Sequence, residues 1–186
     1  MTKNNLAIIV LNWNGADDAL ECINSLAQQT LKPTIIIVDN HSRDDSVMRF
    51  EQYQTEHPSV NFTIIANDKN LGFAGGINTG LVYAREQGFE YIGVLNPDAV
   101  ADKNWCRELV DELSSQPKCG IATGILQRRD GKTLDTTGDF YTTWGLPGPR
   151  NRDEPIENAP SKPGEVFGAT GGGAIYRAAI FDDIDM

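Results

Sequence analysis

Residues 6–11, Leu-Ala-Ile-Ile-Val-Leu, form an unbroken apolar run, the pattern of a strand buried on both faces. Asn12-Trp13-Asn14-Gly15 breaks it, and Asp17 or Asp18 then charges the first turn of a helix predicted to reach about Gln29. Ala19, Ile23 and Leu26 form the apolar stripe of that helix, and Pro33 stops it. A second β-branched run, 34–38, ends in Asp39-Asn40 and precedes a helix predicted over 44–55. A third strand is predicted over 62–66. The glycine-rich stretch 72–76 opens a helix that continues through Leu81 and Ala84 to Gly88. The fourth apolar run, 91–95, halts at Asn96-Pro97-Asp98, because Pro97 lacks a backbone donor and fixes its own φ. A helix over 103–114 and a strand near 120–126 follow. Strands alternating with helices at this rhythm predict an α/β, doubly wound domain across residues 1–186, with a mostly parallel sheet and helices on both faces. Right-handed crossovers then place every strand-to-helix turn on one rim.

From 128 to 163 the pattern fails. Gly, Pro, Thr and charged residues dominate, and Trp144-Gly145-Leu146-Pro147-Gly148-Pro149 excludes a regular helix. A stretch this long predicts a functional lid or a mobile loop. Order resumes at Val166, with Gly171-Gly172-Gly173 ahead of Ala174-Ile175-Tyr176.

Three buried runs end in polar groups that one rim would bring together: Asn12 and Asn14, Asp39 and Asn40, Asn96 and Asp98. Asn70-Leu71-Gly72-Phe73-Ala74-Gly75-Gly76-Ile77-Asn78 joins them. In an open α/β sheet that rim is where ligands bind. Asp98, projecting from a stiff turn, is a hard oxygen ligand suited to a divalent cation that also holds phosphates.

Composition narrows the ligand. A formal charge of −10 over 186 residues argues against nucleic acid. It also means that a diphosphate would need a metal, helix N-termini or a local basic patch to offset repulsion. Neither a Gly-x-Gly-x-x-Gly after the first strand nor a Walker lysine is present. His41 and His57 make no convincing hydrolase arrangement; His57 reads as a solvated helix end and His41 as a turn residue. Cys22, Cys106 and Cys119 lack metal-ligand spacing and read as reduced packing residues, which predicts a cytoplasmic protein. The six apolar residues near the start are too few for a signal peptide or a membrane span.

Taken in order, Val10-Leu11-Asn12-Trp13-Asn14, Val38-Asp39-Asn40-His41-Ser42-Arg43-Asp44-Asp45-Ser46, the stretch Asn70 to Gly80 and Leu95-Asn96-Pro97-Asp98 resemble the inverting nucleotide-sugar glycosyltransferases of family 2. The resemblance implies the GT-A fold, with its Rossmann-like sheet. Asn-Pro-Asp in place of the more usual Asp-x-Asp is similar to the rhamnosyltransferase-type branch that builds bacterial surface polysaccharides. By position, the resemblance implies that Leu11, Asn12 and Asn14 line the nucleotide pocket and that Asp39 accepts the base N3–H. Asn70 and Asn78 would contact nucleotide or sugar, and Gly72, Ala74, Gly75 and Gly76 would let backbone approach the ligand. Asn96 would reach ribose or diphosphate, and Asp98 would ligate Mg²⁺ or Mn²⁺.

The same resemblance implies a nucleotide-sugar donor, with dTDP-rhamnose the first expectation and a UDP-sugar the next. It implies a glycan acceptor on a lipid carrier, and so loose association with the inner membrane face. The family's carboxylate base would follow Met186, so the expectation is a C-terminally truncated donor-binding domain, prone to dimerise; Asp182, Asp183 and Asp185 would be poor substitutes. Two alternatives stay open: a non-catalytic nucleotide-sugar binder of the same fold, and a nucleotidyltransferase.

Overall fold

The computed structural model describes residues 5–183. Strands β1 (Leu6–Asn12), β2 (Thr34–Asp39), β3 (Phe62–Ala66) and β4 (Tyr91–Leu95) alternate with helices α1 (Ala16–Ala27), α2 (Ser46–Glu56) and α3 (Gly72–Glu86), and α4 (Trp105–Ser115) follows β4. These four strands pair in parallel, in the order β3-β2-β1-β4. Two further strands, each joined by an antiparallel pairing, complete the six-stranded sheet beyond β4: β10 (Gly173–Arg177) beside it, then β5 (Ile121–Thr123) at the edge.

Side chains alternate across a strand, so each apolar run feeds two cores. Leu6, Ile8 and Val10 of β1 join Ile23 and Leu26 of α1, Phe50 of α2 and Leu109 and Leu113 of α4. Ala7 and Ile9 face the other way and meet Leu81 and Ala84 of α3. Every residue of β2 is buried, as expected of a strand with neighbours on both edges and helices on both faces. Helix α3 lies close because it carries glycine where it crosses the sheet. A Cβ on Gly80 would sit 2.7 Å from Ile9 Cγ2 and 3.1 Å from Val38 Cγ2.

Strand order reverses between β1 and β4, since β2 and β3 lie on one side of β1 and β4 lies on the other. The carboxyl ends of β1 and β4 therefore flank the crevice where such sheets bind ligands.

The helix bounds differ from the sequence reading by a residue or two, for local reasons. Helix α1 ends at Ala27 because buried Gln29 turns elsewhere: its Nε2 donates to the carbonyls of Ser25 and Asp102, and its Oε1 accepts from the Cys106 amide in the first turn of α4. The strand expected near 120–126 is split at Gly124 into β5 and β6 (Leu126–Gln127), which belong to different sheets.

The segment 128–163 carries short regular pieces. Strand β6 pairs with β7 (Leu134–Thr136), β8 (Asp139–Tyr141) pairs with β9 (Pro147–Pro149), and a 3₁₀ turn covers Ile156–Asn158. Leu134 is fully buried and anchors it. Strands of two or three residues are too short to show an alternation, and a Pro-Gly-Pro strand is tolerated at a sheet edge.

Candidate functional site

A cleft of about 710 Å³ opens at the β1/β4 switch point. It is built from Leu11 to Gly15, Asp18, Asn40, Asn70, Gly72, Phe73 and the Asn96-Pro97-Asp98 turn. Of the residues singled out in the sequence, Leu11, Asn12, Asn14, Asn70, Asn96 and Asp98 meet there. Asp39, Gly75 and Asn78 do not line it.

Asp39 lies beneath the floor, 2% exposed. Its Oδ1 accepts from Asn12 Nδ2 at 2.9 Å and from Ser42 Oγ at 2.6 Å, and its Oδ2 accepts from the Ser42 amide at 2.9 Å. The carboxylate thus clamps the β1 loop to the β2 loop. Asn12 Oδ1 is left buried with no hydrogen-bond partner, the Asp39 and Ser42 contacts having used its amide nitrogen. Gly75 packs against its own helix entrance, since a Cβ there would lie 2.7 Å from Leu71 Cβ. Asn78 is exposed one turn further along α3. The cleft-facing glycine of this stretch is Gly72, at φ +71° with open space around it.

Two asparagines shape the walls. Asn14 adopts φ 52°, a left-handed conformation asparagine tolerates, and its Oδ1 accepts from the Arg43 amide at 2.7 Å. Asn40 is buried and fully used. Its Nδ2 donates to Asn70 Oδ1 and to the Gly72 carbonyl, and its Oδ1 accepts from Asn67 Nδ2 and the Leu71 amide. The tip of β2 therefore holds the entrance of α3 in place. On the other wall, the Asn96 amide donates to the Gly172 carbonyl at 3.0 Å, which ties the Asn-Pro-Asp turn to the start of β10.

The sequence reading missed two aromatic rings. Trp13 and Phe73 both line the cleft and are each 59% exposed. Large rings left open to solvent within the motifs already quoted were the available signal. Also missed was Arg129, whose Nη2 lies 3.4 Å from Asp18 Oδ1, 3.1 Å from Glu21 Oε2 and 3.2 Å from the Asp98 carbonyl.

No group of three or more His, Cys, Asp or Glu poised for a metal occurs among the described residues. The cleft instead offers two exposed carboxylates, Asp98 and Asp18. That donor set cannot cage a cation alone but fits one whose remaining ligands are water and a bound diphosphate. Asp182 is ion-paired with Arg85 beside a smaller cleft, about 530 Å³, at the opposite rim. The chain reaches that rim because β10 runs antiparallel to β4 and pairs Arg177 with Tyr91. Asp182 and Asp183 are accordingly remote from the switch point, and Asp185 lies outside the described residues.

The family model for glycosyl transferase family 2 matches residues 7–185, nearly the whole chain. The chain belongs to glycosyl transferase family 2. The poly-β-1,6-N-acetyl-D-glucosamine synthase of Staphylococcus epidermidis is 22% identical over 130 residues, covering 69% of this family 2 chain and 30% of its own length. The galactofuranosyltransferase GlfT1 of Mycobacterium tuberculosis is 28% identical over 123 residues, 66% of this chain and 38% of its own. The chain thus spans only about 30–38% of the length of these curated relatives. Among solved structures, the mannosyltransferase PcManGT from Pyrobaculum calidifontis, in complex with GDP-Man and Mn²⁺, superposes with a TM-score of 0.68 at 16% identity, over 97% of this chain and 46% of the other. S. aureus TarS with UDP gives 0.65 at 17% identity, over 97% and 49%. The fold is that of the GT-A glycosyltransferases.

Proposed function

We propose that this family 2 chain binds a nucleoside diphosphate sugar in the switch-point cleft and transfers the sugar, with inversion, to a glycan acceptor during bacterial surface polysaccharide synthesis. The observation that carries the reading is the convergence of the Asn12-Trp13-Asn14 loop, the Asn40–Asn70 network and the Asn96-Pro97-Asp98 turn around one cleft large enough for such a donor. Trp13 and Phe73 supply exposed ring faces against which a base can stack. Asp98, with Asp18 across the cleft, supplies carboxylate oxygens for the cation shared with the diphosphate.

A divalent cation bound there, Mn²⁺ or Mg²⁺, would neutralise the charge that grows on the leaving diphosphate. The solved neighbours PcManGT and GalNAc-T7, both in complex with Mn²⁺, support that assignment. Inversion requires a general base to take the proton of the acceptor hydroxyl. The positions of Asp182 and Asp183 at the far rim remove them from that role. For the donor, dTDP-rhamnose is the first choice, on the Asn-Pro-Asp sequence, and a UDP-sugar the second. A lipid-carried glycan acceptor would bring the protein to the inner face of the membrane from the cytoplasm. No helix among the described residues is long and apolar enough to cross it.

Calorimetric titration with dTDP, UDP and GDP, with and without Mn²⁺, tests the reading. One of the three binds in a metal-dependent way, and Asp98→Asn removes the metal dependence while shifting stability by no more than about 0.5 kcal/mol, because the side chain is exposed. No binding by any of the three, or binding indifferent to Mn²⁺ and to Asp98, overturns it.

A further inference from the structure

We propose that Arg129 contacts the donor diphosphate, exchanging its carboxylate partners for phosphate oxygens when the donor binds. The proposal rests on the nucleotide-sugar reading above and adds a residue to it. Among the described residues that line the cleft there is no lysine, arginine or histidine, whereas Asp18 and Asp98 are both acidic. In a chain of net charge −10, a diphosphate entering that cleft meets repulsion from these carboxylates and from the field of the whole surface. Arg129 is a cationic side chain placed on its edge, touching the Asp98 turn on one side and Asp18 and Glu21 of α1 on the other.

Its geometry suits an exchange of partners. All three contacts fall on Nη2, at 3.1 to 3.4 Å, and none of them engages Nη1 or Nε. The side chain is 64% exposed and both carboxylate partners are more than half exposed, so the pairs are weak and readily replaced. A guanidinium fork matches phosphate oxygens bidentately and binds them through charge-assisted hydrogen bonds.

The backbone beneath it is well fixed. Asp130 accepts from the amides of Lys132 and Thr133 and from Thr133 Oγ, and these bonds hold its carboxyl below the usual carboxylate range. With Gly131 at φ +67°, this clips the turn between β6 and β7 and presents Arg129 at its tip. The loop side chain is thus preorganised toward the turn that carries Asp98.

Calorimetry with Mn²⁺ and whichever of UDP, dTDP or GDP the chain binds tests this, with the matching nucleoside monophosphate as comparison. R129A weakens the nucleoside diphosphate about 10- to 100-fold, the range of a lost hydrogen bond to a charged group, and the monophosphate much less. R129K, which keeps the charge but not the fork, falls between. R128A, whose partner is Asp153, leaves affinity unchanged. E21Q frees Arg129 from a competing carboxylate and tightens the diphosphate about two- to fivefold, a gain that is lost when R129A is also present and so is not the mere removal of one negative charge. The proposal is overturned if R129A binds both nucleotides as the unaltered chain does, or loses both equally, or if E21Q is without effect. If the unaltered chain binds none of the three diphosphates, the nucleotide-sugar reading itself falls.

Discussion

Asp39 shows how a residue can matter to a site without lining it, by bracing Asn12, which does. Asp39 takes three hydrogen bonds from Asn12 and Ser42 while almost fully buried, so its side chain sets the distance between the two loops that form the cleft wall. Asp39→Ala leaves the Ser42 hydroxyl and the Ser42 N–H without an acceptor and the Asn12 amide with Ser42 Oγ alone. It should cost about 2–4 kcal/mol, read as a lower midpoint in chemical denaturation, and should weaken nucleotide binding indirectly. If Asp39→Ala abolishes binding with no loss of stability, the clamp role is wrong and direct contact with the base is right. Two thiols give a second prediction at this scale. Burial, helped by Asp98 and Glu21, pushes Cys22 up to about 12, and burial alone does the same for Cys106. Below the ordinary thiol value of 9.0 both the folded and unfolded chains hold these protons, so the thiols add no pH dependence there. Between about 9 and about 12 only the unfolded chain releases them, so stability declines as pH rises through that window. Tyr53 and Tyr176, raised by burial, act in the same direction. Denaturation midpoints measured at about pH 8 and about pH 10 should differ, and Cys106→Ala should flatten the slope by close to one proton.

At the scale of elements, glycine inside regular structure marks where two pieces of backbone come close. Gly93 sits in the middle of β4, and a Cβ there would meet the Ala174 carbonyl oxygen at 3.1 Å and Ile175 Cγ1 at 3.1 Å, as well as the end of the Ile8 side chain. The obstacle on one side is the backbone of β10, which cannot rotate away. Gly93→Ala should therefore destabilise by about 1–3 kcal/mol, although alanine is the better residue in a strand of ordinary spacing. A stable Gly93→Ala variant with an unchanged thermal midpoint would show that β10 does not lie against β4 in the stated register. The β6–β7 and β8–β9 pairs illustrate the opposite limit. They carry so few residues that their order depends on Leu134, Thr136 and Thr137 being buried beneath neighbouring chain. The β8–β9 pair nevertheless displays Tyr141, Trp144 and Leu146 to solvent, with Phe167 stacked on Tyr141 at 5.1 Å.

For the whole molecule, the sheet order explains why polar tips separated by tens of residues act together. Three parallel pairings bring the carboxyl ends of β1, β2 and β4 to one rim, and the reversal at β1 opens a crevice there. Strand β10 enters at that rim, where the Gly172 carbonyl meets the Asn96 amide, and leaves at the other. An acidic molecule with this architecture attracts a diphosphate only where its field is locally reversed. The dependence of nucleotide affinity on Mn²⁺, Asp98 and Arg129 together is thus the global electrostatic signature of the proposed activity.

The linear chain was sufficient to determine the six-residue and five-residue apolar runs, their alternation with helices and the identity of the rim, because burial on two faces forces continuous hydrophobicity and a strand's end forces a polar break. It also carried the family motifs, since those are local strings of residues. It could not decide which of the rim residues face a ligand. Asp39 and Asn12 are both polar residues at strand ends, and only packing shows that one braces the other. Nor could it reveal Arg129, which lies 111 residues from Asp18 and 31 from Asp98. Its place at the cleft follows from where the β6–β7 turn meets α1 and the Asp98 turn, a property of long-range contact that no local pattern encodes.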